Sequence, residues 1–259
     1  MSSQLAWHPH FGAIGGRDMQ AWLADYPPGP PPATSVFLAT VERSGSEWLC
    51  QLLGATGQLG RPSEYLNTYW MRRFIPDYPE DVAAQVAIAH RVGTTPNQVF
   101  AMKMHPLHLD RLLQGSRVEV AFPNPVFVRL IRRDLLAQAI SLYRARASNQ
   151  YHAHVAAAFQ IDYDGAMIRA MVLELVREGA RWDFYFARNG LVPLTIAYED
   201  LQAAPGRAVA EIGRRAGVAV IPDTIAPAQP LGIQRDEVSA TWKRRFLAEH
   251  GNLNVLDPI

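Results

Sequence analysis

The sequence has a single cysteine, Cys50, which excludes an intramolecular disulfide and any cysteine-based metal cluster. It falls on the apolar side of an expected helix and reads as buried filler. No apolar run approaches the roughly 20 residues of a membrane-spanning helix. The chain does not open on a basic segment followed by an apolar core, so no signal peptide is expected. Neither sign of charge dominates. Lys and Arg number 25 against 24 Asp and Glu, for a net charge of +1, so the composition gives no global reason to expect nucleic acid or an acidic membrane as partner. His108, His152 and His154 lack a convincing set of further ligands, and no metal is expected. Together these absences point to a soluble, cytoplasmic protein.

What remains is ordinary globular material. Of the 259 residues, 49% are hydrophobic and 19% charged, enough to build one large α/β domain or two small ones. Residues 1–34 read as an arm. It holds a short helix signal in "GGRDMQAWLADY" and an extended proline-rich linker, "YPPGPPPAT". Residues 35–259 read as the main domain, in which strand and helix signals alternate. Strands are expected at 36–41, 98–102, 125–131 and 191–197. Helices are expected at 46–56, from a cap at Asp134 to 146, and at 163–188, 205–216 and 238–250. This alternation predicts an α/β fold with a mainly parallel central sheet flanked by helices, with ligands at the carboxyl ends of the strands.

Two motifs fall at such strand ends. In "SVFLATVERSGSEWLC" an apolar run stops at Glu42-Arg43-Ser44-Gly45-Ser46 and a helical pattern begins. Unpaired N–H groups and the positive end of the helix dipole make this a site for an anion. Gly45 clears space for it, Ser44 and Ser46 offer hydroxyls, and Arg43 adds a permanent charge. The same stretch also reads as a plain connection with Ser46 as N-cap. No G-x-x-x-x-G-K-[ST] loop is present, which argues against ordinary P-loop kinase or GTPase chemistry. In "VFVRLIRRDLLAQAIS", Arg133 ends a strand and Ser141 follows eight residues later, about two helical turns in. Both can grip one phosphate if the arginine swings back. Two phosphate sites on one sheet suit a nucleotide phosphorylated at both ends.

"RSGSEW" and "RRDLLAQAIS" resemble the 5′-phosphosulfate and 3′-phosphate motifs of sulfotransferases that use 3′-phosphoadenosine 5′-phosphosulfate (PAPS). "AYEDLQAAP" is similar to that family's strand-to-helix segment. "LGRPSEYLN" and "RDEVSATWKRRF" resemble segments of its bacterial trehalose-sulfotransferase branch. The resemblance spans about residues 35 to 246. It implies a P-loop-NTPase-like sulfotransferase fold, PAPS as sulfuryl donor, no metal, a hydroxyl acceptor on a sugar, and a homodimer. Arg43, Ser44, Gly45 and Ser46 would hold the 5′ end of the donor, and Arg133 with Ser141 the 3′-phosphate. Trp48 would stack on adenine, its alternative being a place in the core.

Two bases compete. Glu64 matches the proposed base of the trehalose-type segment and stands slightly first on family proximity, although it needs partial burial to raise its pKa. His105, in "MKMHPL", matches the base of the cytosolic sulfotransferases and is better poised near neutrality. Lys103, at the same strand end, would neutralise the leaving oxygen. Glu47 departs from the family pattern, which carries Thr or Ser there. A carboxylate weakens anion binding unless it turns away or pairs with a cation such as Arg43 or Lys103. Catalytic impairment with retained nucleotide binding, or a non-carbohydrate acceptor, are the alternatives that follow. The aromatic segment after Glu64, "EYLNTYWMRRFIPDY", reads as sugar-stacking faces, a lid or a dimer contact.

Overall fold

The computed structural model describes residues 15–148, 161–221 and 237–256, together with the backbone of two short strands, β1 (Trp7–His8) and β2 (Gly12–Ala13), which pair antiparallel. His152 and His154 lie outside the described residues. Along the chain follow α1 (Met19–Leu23), β3 (Thr34–Ala39), α2 (Ser46–Ala55), α3 (Thr68–Met71), α4 (Val82–Gly93), β4 (Val99–Met104), α5 (Pro106–Gly115) and α6 (Val118–Ala121). Then come β5 (Pro125–Ile131), α7 (Leu135–Ser148), α8 (Gly165–Arg188), β6 (Leu194–Ala197), α9 (Tyr198–Ala203), α10 (Pro205–Arg215) and α11 (Glu237–His250). Among the described residues no helix is long and apolar enough to cross a membrane.

The expected parallel sheet is present, with strand order β4-β3-β5-β6. Alternation along each strand divides its side chains between two cores. Val36 and Leu38 of β3, with Val128 and Leu130 of β5, pack under Leu49, Leu52 and Leu53 of α2 and Val209 and Ile212 of α10. Phe37 and Phe127 face the other way, with Phe100, Phe122, Trp182 and Phe186. Trp22 of α1 is fully buried in this second core. Arg91 binds the carbonyl oxygens of Leu23 and Tyr26, tying the segment before the proline-rich stretch to α4.

Several strand ends differ from the sequence reading, each for a local reason. β4 starts after Gln98 because that residue is left-handed at φ 64° and closes a turn onto Thr95. It then runs on to Met104, since Ala39 of β3 pairs there. β3 ends at Ala39, whose pairing with Met104 is closed by Thr40 N–H on the Met104 carbonyl at 3.0 Å, with the Thr40 hydroxyl on the same oxygen at 3.3 Å. β6 begins only at Leu194, after Pro193, which has no N–H to contribute. Four helices that the sequence reading omitted, α3 to α6, fill the crossovers around β4. Asp81 caps α4 through Ala84 N–H at 2.8 Å, and Pro106 occupies the first position of α5.

With all four strands of this sheet parallel, the connections after β3, β4, β5 and β6 all emerge on one rim. The free edge of β4 is covered by residues 60–63, where Lys103 N–H donates to Ser63 O at 3.0 Å. Gly60 makes this close approach possible. Its φ is +74°, and a Cβ there would lie 2.6 Å from Ala101 Cβ. Gly60→Ala is expected to cost at least about 2 kcal/mol, combining backbone strain and overpacking that each run to about 1–3 kcal/mol. Gly57→Ala is the control, with φ +63° and open space around the added methyl. Thermal melts of both variants check this, and equal losses would show that the contact with β4 contributes nothing.

Candidate active site

The loop after β3 is a compound turn. Arg43 (φ 59°) and Gly45 (φ 87°) are both left-handed, and Gly45 is the N-cap of α2. This alternation of backbone hand turns successive N–H groups into a concavity that suits an anion. Ser44 is fully buried, and its hydroxyl has no hydrogen-bond partner among the described residues. Ser46 is buried at the first position of the helix. The reason for Gly45 differs from the one read in the sequence. The space its Cβ would fill holds the ring of Tyr198, with Cε2 2.6 Å away, at the junction of β6 and α9.

The loop is anchored from α7 and the end of β5. Arg43 Nε donates to Ser141 Oγ at 2.9 Å, and Gln138 Nε2 donates to Glu42 O at 2.6 Å. Arg132 Nη1 donates to Arg43 O at 3.3 Å while its guanidinium lies 5.2 Å from the Tyr198 ring centroid. Ser141 is thus joined to Arg43, whereas Arg133 forms a two-point ion pair with Asp200, Nη1 to Oδ1 at 2.8 Å, and is more than half exposed. Spacing along α7 does not specify which arginine meets the serine, because side-chain direction depends on the carboxylates that α9 brings alongside. Asp134 caps α7 as expected, accepting from Ala137 N–H at 3.1 Å, and its other oxygen holds Lys243 of α11 at 2.6 Å.

At the end of β4 the charged residues converge. Lys103 is buried, with Nζ 2.6 Å from Glu64 Oε1 and 3.6 Å from Glu47 Oε2. Glu47 therefore faces a cation, one of the two arrangements that accommodate its charge. Burial disfavours ionisation of Glu64, but Lys103 and then His105 outweigh it and hold the carboxyl well below the usual carboxylate range. Burial works against the Lys103 ammonium in the same way, and Glu64 and Glu47 more than offset it, leaving its pKa above the ordinary lysine value. Glu64 is thus an ionised partner of Lys103. The sequence reading required burial to raise its pKa, and the neighbouring cations reverse that sign.

His105 caps α5 at the same rim. Its Nδ1 lies 3.3 Å from Thr40 O, and its Nε2 lies 3.6 Å from Glu64 Oε1, beyond ordinary hydrogen-bond reach. A proton on Nδ1 goes to Thr40 O and leaves Nε2 as an acceptor, and a proton on Nε2 faces the Glu64 carboxylate, so the two neighbours accommodate either neutral tautomer. Behind it His108 Nδ1 accepts from His105 N–H at 3.2 Å. Burial pushes His108 down to about 3, so it stays neutral. Trp48 is half-buried against the α2-side core. Burial pushes the Cys50 thiol up, in keeping with a filler role.

Two contributors escaped the sequence reading. Asn67 Nδ2 donates to Glu64 Oε2 at 2.6 Å. Trp182 Nε1 of α8 donates to Thr40 O at 2.9 Å, fixing the carbonyl that His105 faces. Asn67 had a readable signal as a helix-capping residue three positions after Glu64. Trp182 had none, since 142 residues separate it from Thr40. Among the described residues no group of three or more His, Cys, Asp or Glu is placed to hold a metal ion.

Trehalose 2-sulfotransferase of Mycobacterium tuberculosis is 28% identical over 85% of this chain and 96% of its own. The protein of the same name from Mycolicibacterium smegmatis is 22% identical over 86% and 96%. Among solved structures, the sulfotransferase domain from the curacin biosynthetic pathway aligns with a TM-score of 0.48 at 18% identity, over 82% of this chain and 83% of that one. The model of the Stf0 sulphotransferases matches residues 35–249, which take in the turn at Arg43, the Lys103 cluster and Ser141, and the chain belongs to that family of sulfotransferases.

Proposed function

We propose that this protein moves a sulfuryl group from PAPS to a hydroxyl of a carbohydrate or glycoconjugate. The observation that carries the donor assignment is the turn opening α2, where left-handed Arg43 and Gly45 form a concavity of N–H groups around Ser44, whose hydroxyl is unpartnered among the described residues. An unpaired buried hydroxyl costs about 1–3 kcal/mol, and a ligand in the turn would supply the missing partner. Arg43, Gly45 and Ser46 frame the same turn, and Trp48 lies on the following helical turn, in reach of this reading as the adenine platform. Ser141 and Arg133 remain the proposed 3′-phosphate pair. Arg133 must then exchange Asp200 for the nucleotide, and an exposed ion pair is cheap to exchange. PAPS supplies the activated sulfuryl group, and the nucleotide phosphate departs with the electrons of the broken S–O bond.

The chain's own residues supply the rest. As the acceptor oxygen bonds to sulfur, its proton passes to His105 Nε2, which accepts in the tautomer that gives its Nδ1 proton to Thr40 O. Lys103 stabilises charge on the departing phosphate oxygen. Both Glu64 oxygens are engaged and its carboxyl is held low. We therefore assign proton transfer to His105, and to Glu64 the task of placing Lys103 and His105. The mycobacterial relatives named for trehalose support a sugar as acceptor. An open cavity of about 460 Å³ follows Asn67 in the chain, lined by Thr68, Tyr69, Arg72, Arg73 and Glu80. The Tyr69 ring, 76% exposed, and the charged hydrogen-bonding groups beside it suit a sugar ring.

Transfer of labelled sulfate from PAPS to a panel of sugars tests the proposal directly, and transfer to none of them under donor saturation would sink it. His105→Asn is expected to lower kcat by about 10²–10⁴, the usual contribution of a general base. Glu64→Gln should lose less in kcat, and the reverse order would make Glu64 the base.

Glu64 also predicts a pH dependence of stability. Its folded pKa is depressed, so its contribution is complete above the unfolded value of about 4.3 and is lost as pH falls through the folded value. Wild type should lose stability more steeply than Glu64→Gln below about pH 4 in urea melts. At pH 7 the variant should be less stable by about 3–5 kcal/mol, because Lys103 is left buried without its nearer partner.

Ser44→Ala should leave the melting temperature unchanged or higher, since the hydroxyl has no partner among the described residues. It should weaken adenosine 3′,5′-bisphosphate binding by about 1.5–3 kcal/mol. Glu47→Thr should change that affinity little, because Glu47 faces Lys103. Calorimetric titration of both variants checks this pair, and full affinity in Ser44→Ala would show that the turn is only a connection.

A further inference from the structure

We infer that Asn67 is a positioning residue for the transfer reaction, its side-chain amide holding Glu64 in the orientation that engages Lys103 and His105. The inference rests on the sulfuryl-transfer site proposed above, and it starts from a constraint on the amide itself. Asn67 is the N-cap of α3, and its Oδ1 accepts the N–H of Trp70 at 3.0 Å. That bond settles which way the amide faces. The oxygen belongs to the helix, so the nitrogen must point at Glu64, where it donates to Oε2 at 2.6 Å.

The carboxylate is thereby divided. Oε2 is taken by Asn67, and Oε1 alone meets Lys103 at 2.6 Å and His105 Nε2 at 3.6 Å. A glutamate's terminal torsion is broad and roughly two-fold, so without a partner on Oε2 the two oxygens are free to rotate past Lys103. The backbone beneath is already rigid. Asn67 N–H donates to Glu64 O at 2.9 Å, Tyr65 hydroxyl to Arg61 O at 2.6 Å, and Tyr78 hydroxyl to Tyr65 O at 2.7 Å. What Asn67 adds is the terminal torsion alone. Among the described residues the other charged or titratable groups acting on or around this carboxylate are Lys103 from β4, His105 and His108 from the start of α5, and, from α2, Glu47 across Lys103 and the buried Cys50.

Two substitutions separate this role from simple helix capping. Asn67→Ser and Asn67→Asp both keep a side-chain oxygen for Trp70 N–H and so keep the cap. The serine hydroxyl stands where the asparagine Cγ stood, one bond short of the amide nitrogen that meets Glu64, and the ionised aspartate has no proton to donate and sets a second carboxylate against it. Asn67→Ser is expected to melt within a few degrees of wild type while kcat falls by about tenfold or more with the donor KM unchanged, the usual consequence of losing an orienting partner. In Asn67→Asp the 13Cδ resonance of Glu64, assigned with Glu64→Gln, should titrate at higher pH than in wild type. Wild-type kcat in Asn67→Ser, or an unmoved Glu64 titration in Asn67→Asp, would reduce Asn67 to a cap. Should Asn67→Asp fail to fold, the kcat and KM of Asn67→Ser decide. If wild type itself transfers no sulfate, the proposed donor and acceptor reading fails, and the Glu64 resonance still decides the inference.

Discussion

The site is organised around one buried cation. Lys103 leaves the sheet at the end of β4 with almost no solvent, and an ammonium in that position is tolerable only if its charge is met. Glu64 meets it at 2.6 Å from the segment that covers the free edge of β4, and Glu47 meets it at 3.6 Å from the first turn of α2. Three separate stretches of chain are thereby held to one atom. The same charge sets the chemistry. It holds the Glu64 carboxyl ionised, and on the proposed reading proton transfer then falls to His105, whose Nδ1 lies against Thr40 O. It also gives Glu47 a partner, so a carboxylate in the anion turn need not oppose an incoming anion.

A second junction, at Thr40, keeps the rim in register. Its N–H and hydroxyl bind Met104 O, so the exit of β3 is tied to the exit of β4. Its carbonyl accepts from Trp182 and faces His105 with its other lone pair. A core tryptophan, a strand end and the proposed base thus share one peptide group. The Arg43 turn is braced by the same logic, from Ser141 and Gln138 of α7, from Arg132, and from the Tyr198 ring packed on Gly45. The Arg43 turn and the Lys103 cluster are thus placed before any ligand arrives, whereas Arg133 is still paired with Asp200. Such preorganisation is where enzymes of this kind gain most, since little covalent chemistry is asked of the protein.

The sequence by itself determined the α/β class, the parallel sheet and the rim on which function sits. Apolar runs, caps such as Asp134 and the turn at Arg43-Ser44-Gly45-Ser46 are local signals, and each acts through its immediate neighbours. The same locality made Lys103, His105, Glu64 and Ser141 legible as candidates, since each stands in a short motif with its own chemistry. Tertiary structure decided how they combine: that Ser141 meets Arg43 while Arg133 turns to Asp200, that Gly45 is required by Tyr198, and that Lys103 sits between Glu64 and Glu47. It also recruited Asn67 and Trp182 and reversed the expected shift of Glu64. The physical reason is that charge state and side-chain direction depend on burial and on partners drawn from elements up to 142 residues apart, which no local pattern encodes.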